Sequence, residues 1–193
     1  MGLAGVFFGI LVGWIVGSQQ PGGRTPVAAV APAAAAQQGG AQAPAPPPLD
    51  ESRASAMKTT AQQNPSDAVT RVQLGNMYFD SGRYPEAAEW YEAALKVNAK
   101  DVNASTDLGI AYYYMNQADK ALAQFDRSLD VDPKHAKTLL NIGIVRAFGK
   151  QDLKGASEAW QKVLAVAPNS EEARAAQQAL EGVKSAHPEI GKS

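Results

Sequence analysis

The sequence predicts an all-α fold: a solenoid of three helix pairs with flanking helices, preceded by one N-terminal transmembrane helix. Three observations predict it. Residues 2–17 form an uncharged apolar run, residues 19–49 are almost wholly Ala, Pro, Gln and Gly, and from Gly75 onward small, aromatic and proline residues recur at steps of 34 or 35. The boundaries that follow are an anchor over 1–18, a linker over 19–49, a leading helix over 50–64, three repeats over 65–168, a capping helix over 169–184 and a tail over 185–193.

As a helix, Met1–Gly17 spans about 25 Å at 1.5 Å per residue, a little under the ~30 Å hydrocarbon core of a bilayer. Trp14 lies near its C-terminal end, where an indole suits the membrane interface. A cleaved signal peptide is the competing reading, but it wants a basic leader and a small-x-small site just after the run. Here Ser18-Gln19-Gln20-Pro21 follows, so a retained anchor is the expectation. Gly5, Gly9, Gly13 and Gly17 fall on one helix stripe, which lets a second membrane helix approach closely. The expected partners at this end are therefore the lipid bilayer and another transmembrane helix. Arg24, the one charged side chain in the first 49 residues, weakly favours a cytoplasmic C-terminus.

Residues 19–49 hold too little apolar bulk for a core and too much proline for a helix. Such a stretch reaches roughly 30 Å as a coil and nearer ~95 Å as extended polyproline II. It reads as a tether.

The repeats carry the strongest signal. Gly75, Gly109 and Gly143 stand 34 apart; Ala87, Ala121 and Ala156 keep step with them, as do Tyr91, Phe125 and Trp160, and Pro65, Ala99, Pro133 and Pro168. Each unit holds two amphipathic stretches of about 14 residues around a polar turn such as Asp80-Ser81-Gly82-Arg83. Small slots let paired helices cross closely, aromatic slots fill the space between pairs, and Pro ends the second helix. Helices are expected over 67–81, 84–98, 101–115, 118–131, 135–149 and 153–167, with Asp67 and Asp101 as N-caps. The extra residue of the third unit is expected in the turn around Gly149–Leu153. Asp50–Gln63 and Ser170–Lys184 read as helices flanking the array, the second covering its open end.

On these slots the chain resembles the tetratricopeptide repeat (TPR) family, whose pattern is Leu-Gly-x-x-Tyr, then Ala-x-x-x-Phe, then Pro. It carries Leu74-Gly75, Tyr78, Ala87 and Tyr91; Leu108-Gly109, Tyr112, Ala121, Phe125 and Pro133; and Ile142-Gly143, Ala156, Trp160 and Pro168. Arg146 replaces the third tyrosine, and Arg71, Ser105 and Leu139 replace the family's first aromatic. The resemblance implies a right-handed solenoid that binds protein partners along the inner face of each first helix. Carried over by position, that groove consists of Asn76, Phe79 and Asp80 (with Val72), then Thr106, Ile110, Tyr113 and Tyr114, then Lys137, Leu140, Asn141, Ile144 and Phe148. Some TPR proteins clamp a terminal carboxylate with Lys, Arg and Asn. Asn76, Lys137 and Asn141 match, whereas Val72 and Asp107 do not, so an apolar, aromatic groove is expected instead. Tyr112 is expected in the core, with Tyr113 and Tyr114 as contact candidates.

Other chemistry finds little footing. A net charge of −1 without a basic block gives no footprint for nucleic acid, and the chain has no cysteine. His135 and His187 read as surface residues, no set of ligands predicts a metal or cofactor, and Gly191-Lys192-Ser193 lacks the first glycine of a phosphate loop. The chain is expected not to be an enzyme. The leading expectation is a single-pass accessory or assembly subunit of a membrane protein complex, its domain on the periplasmic side, resembling bacterial envelope TPR proteins. A cytochrome-c maturation factor presenting apocytochrome and a self-assembling structural protein stand as alternatives.

Overall fold

A computed structural model describes residues 45–187. The expected anchor, its glycine stripe, most of the linker and the end of the tail lie outside the described residues. Among those described, no helix is long and apolar enough to cross a membrane.

Eight helices and no strand are found among the described residues. They are α1 (Glu51–Gln63), α2 (Ala68–Asp80), α3 (Tyr84–Val97), α4 (Val102–Tyr114), α5 (Ala118–Val131), α6 (Ala136–Ile144), α7 (Leu153–Val166) and α8 (Glu171–Ala186). α2–α3, α4–α5 and α6–α7 are hairpin pairs stacked in order, with α1 and α8 against the first and last. Side-chain caps start five of them. Asp50, Asp67, Asp101, Asp152 and Ser170 each accept from a backbone N–H three residues on, at 2.8–3.1 Å.

One contact recurs in every pair and explains the 34-residue spacing of glycine and aromatic. A Cβ on Gly75 would lie 2.5 Å from the Tyr91 ring, one on Gly109 2.4 Å from Phe125, and one on Gly143 2.1 Å from Trp160. The ring of the second helix thus packs directly against bare backbone of the first. Ala87, Ala121 and Ala156 are fully buried at the same crossings.

The extra residue of the third unit is not in the turn, as the spacing suggested, but in the end of the first helix. In the first two pairs the chain closes with Arg83 N donating to Tyr78 O and Gln117 N to Tyr112 O, both at 2.9 Å. In the third, Asp152 N donates to Arg146 O at 2.8 Å, one residue further along. α6 accommodates the difference as a π turn, Val145–Gly149, with Lys150 N bonded to Val145 O at 3.1 Å. The turn itself keeps its form: Gly82, Asn116 and Gln151 occupy the same slot with φ of 75°, 58° and 56°.

Apolar packing divides into two clusters. One joins α1, α2, α3 and α4 around Leu74, Tyr78, Tyr91 and Leu108. The other runs from Ile110 and Phe125 through Trp160 to Val183 of α8. Phe79 and Tyr112 pack against both.

Candidate interaction surface

The first helices α2, α4 and α6 lie side by side, and their facing residues fall into two groups. Thr106, Ile110, Tyr113, Leu140, Asn141 and Ile144 are buried. These six expected groove residues are walls between neighbouring helices rather than open surface, because α4, α6 and α8 pack closely enough to share a core. Asn76, Phe79, Asp80, Tyr114, Lys137 and Phe148 keep part of their surface, as does Val72.

Aromatic rings gather where α2 turns into α3. Phe79 meets Tyr84 at 5.2 Å and Tyr114 at 5.4 Å, both edge-on. Tyr84 and Tyr114 stack at 4.7 Å, and Tyr113 meets Tyr114 at 5.9 Å. Burial pushes the phenol pKa of Tyr84 upward, and that of Tyr114 further, with the neighbouring Tyr84 and Tyr113 adding to burial. Both hydroxyls are therefore neutral donors across the physiological range. Tyr112 packs half-buried against both apolar clusters, as its core reading expected, whereas Tyr113 departs from its expected place as a contact candidate. Tyr113 is buried beneath Gly149, at the end of the π turn. Tyr112 reaches outward, and its hydroxyl donates to Glu92 at 2.7 Å. Desolvation first, then that carboxylate, raises its pKa to about 12.

Polar groups on this face are largely engaged. Lys137 Nζ pairs with Asp107 at 2.6 Å, and both side chains are mostly covered. The Tyr91 hydroxyl donates to Asn76 Oδ1 at 2.7 Å, and the Asn141 amide donates to Lys137 O at 2.8 Å. Lys137 is thus neutralised by the residue that departs from the carboxylate-clamp pattern.

His135 is half-buried at the start of α6, contrary to its reading as a plain surface residue. Thr106 Oγ1 donates to Val102 O at 2.7 Å, which commits its proton. Thr106 must then accept from Thr138 at 2.7 Å, and Thr138 must accept from His135 Nδ1 at 2.7 Å. The proton of neutral His135 therefore sits on Nδ1. Burial lowers its pKa and Lys137 lowers it further, against the opposing pull of Asp132, Asp107 and Glu172. Sequence reasoning did not single out Tyr84, Thr138 or this role for His135. Tyr84 opens a second helix, outside any groove slot, and only its nearness to Phe79 in the chain could have marked it. Among the described residues, no cluster of His, Cys, Asp and Glu could hold a metal ion.

Two family profiles match this chain: "TPR repeat" over residues 75–116 and "Tetratricopeptide repeat" over 106–171. The chain belongs to the tetratricopeptide repeat family. It is a TPR protein–protein interaction module. It is similar to RNA polymerase II-associated protein 3 of Xenopus tropicalis, 28% identical over 107 residues, which take in 55% of this chain and 16% of that one. Tetratricopeptide repeat protein 21A of Homo sapiens is 45% identical over 40 residues, covering 21% of this chain and 3% of that one. The chain thus spans a small part of the curated relatives it matches. Among solved structures, a crystal structure of MamA superposes with a TM-score of 0.58 at 19% identity, covering 70% of this chain and 90% of that chain. The first TPR of Spaghetti (RPAP3), bound to the HSP90 peptide SRMEEVD, gives a TM-score of 0.57 at 24% identity, covering 64% of this chain and 94% of that one. These likenesses establish the TPR fold.

Proposed function

We propose that this TPR module is a membrane-anchored adaptor, an accessory or assembly subunit of a membrane protein complex. The anchor over 1–18 supplies location, its glycine stripe a lateral contact with another transmembrane helix, and the tether over 19–49 a stand-off distance. The repeats bind a protein partner on the periplasmic side of a bacterial membrane. No catalytic step is assigned to the chain. The observation that carries the binding role is the part-open aromatic group Phe79, Tyr84 and Tyr114, with a further exposed ring, Phe148 (40%), in the π turn of the third pair. The uncharged run Gly2–Gly17 carries the anchoring role.

The RPAP3 structure holds an acidic peptide. In this chain the corresponding reading is disfavoured, since Lys137 is already paired with Asp107 and Val72 supplies no cation. Gentle detergent extraction of the native protein, followed by identification of stoichiometric companions, tests the proposal. A stable membrane complex is the expected outcome. Recovery of a soluble protein beginning after residue 20 would overturn the anchor, and recovery of this chain alone would overturn the subunit role in favour of self-assembly.

A further inference from the structure

Buried polar side chains are unevenly placed along the stack. Among the described residues, no buried Ser, Thr, Asn or Gln lies in α1, α2 or α3. Ser105, Thr106, Gln124, Ser128 and Thr138 are all buried, and they gather where α4 meets α5 and α6. Gln124 Nε2 donates to Ser105 Oγ at 2.7 Å, and the Ser105 and Ser128 hydroxyls bond at 2.8 Å. From His135, hydrogen bonds run through Thr138 and Thr106 to Val102 O and tie α6 to α4. His135 is the ionisable end of that tie. It is also the residue from which α6 starts, and its ring makes no bond to the amides of that helix.

We propose that the junction of the second and third pairs is a proton-operated joint, closed while His135 is neutral and widened when its imidazole takes up a second proton. The joint belongs to the stack itself and does not depend on the adaptor reading. The added proton goes to Nε2, since Nδ1 already carries the one donated to Thr138. The charge then sits half-buried at the N-terminal end of α6, where the helix dipole is positive. Lys137, two residues on, is a second cation. Three carboxylates act on the ring from around it: Asp132 just before α6, Asp107 of α4 and Glu172 of α8. Asp107 is already held by Lys137 at 2.6 Å, and Asp132 accepts from the Lys134 amide at 3.0 Å. Burial outweighs all three and keeps the folded pKa below 6.5. Admitting water relieves both the burial and the dipole. The α4–α6 seam admits it readily, because the groups bonded there are hydroxyls that water can satisfy. Widening at that seam loosens the wall that Ile110, Leu140 and Ile144 form between the first helices.

The test uses the full chain in detergent. Because it has no cysteine, nitroxide labels can be placed singly by substitution. Ala123→Cys on α5 with Gln161→Cys on α7 spans the joint, and Glu89→Cys on α3 with Ala123→Cys spans the first junction; all three positions are exposed. Between pH 7.5 and 5 the α5–α7 distance should lengthen by about 2 Å, the scale of a helix shift at a packed interface, while the α3–α5 distance holds. His135→Asn should abolish the change, and His187→Asn, at the chain's other histidine, should leave it intact. Nitrogen shifts of the His135 ring, followed through the same titration without either His variant, should move with the distance at one midpoint. That comparison keeps the test valid if His135→Asn folds poorly. A constant α5–α7 distance, a change that survives His135→Asn, or a ring titration out of step with the distance would sink the proposal. Lengthening of both distances together would replace the joint with general acid unfolding and overturn it as well.

Discussion

At Gly143 the paired helices leave no room for a methyl group. Its missing Cβ would stand 2.1 Å from Trp160 Nε1, and Trp160 cannot yield, being fully buried with its indole N–H donating to Leu140 O at 3.2 Å. Gly143→Ala is expected to destabilise the fold by about 1–3 kcal/mol through overpacking, measured as a lower urea midpoint at unchanged m-value. The slot and its aromatic partner are both legible in the sequence, because the contact repeats three times at one spacing. His135 is less legible, since its environment comes from Thr106, 29 residues upstream, and from a count of protons that only distances permit. The folded pKa of His135 lies below its ordinary 6.5. The unfolded chain therefore binds a proton more readily, and this contribution to stability is present above pH 6.5 and lost as pH falls through the folded value. Urea midpoints should decline as pH is lowered from 7 to 5, and His135→Asn should flatten that decline. Nitrogen shifts of His135 at pH 7.5 should report the Nδ1–H tautomer. Thr138→Val removes the acceptor and should cost about 1–3 kcal/mol.

Elements were legible in proportion to how local their causes are. N-caps at Asp67 and Asp101, the polar turns and the proline stops are written within a few residues, and the helices begin and end within a residue or two of the expected positions, except that α6 ends at Ile144 and the π turn fills the remainder to Gly149. The π turn was not, because a one-residue excess in the spacing says only that it falls between Gly143 and Ala156. Its placement at Val145–Gly149 is decided by packing: the third turn keeps the same positive-φ slot as the other two, so the surplus is pushed back into the helix. Deleting Lys150 should restore the shorter closure with helical circular dichroism retained. Deleting Ala159 instead rotates Trp160 away from Gly143 and should unfold the C-terminal cluster, seen as loss of tryptophan burial in fluorescence. The groove was legible as a set of positions but not as a surface. Which of Ile110, Leu140 and Ile144 stay open depends on how closely α4, α6 and α8 approach, and no single helix encodes that distance.

Across the whole molecule, stability passes from neighbour to neighbour, as expected for a stacked array. The C-terminal cluster is closed by Ala173, Ala175, Ala176, Ala179 and Val183 of α8, all buried. Ending the chain at Asn169 should expose the flank of α6 and α7 and lower stability by several kcal/mol, with aggregation visible in size-exclusion chromatography. The opposite end is held differently. α1 contributes only Ala54 and Ala61 as buried residues, and among the helices it leans mainly on α2. Among the described helices, amide exchange should therefore be fastest in Glu51–Gln63. This thin attachment sits where the segment leading from residues 1–44 enters the domain. A force applied at the N-terminal end of the domain should therefore detach α1 before any of the three stacked pairs, read as a first, low-force extension step in a single-molecule pulling experiment.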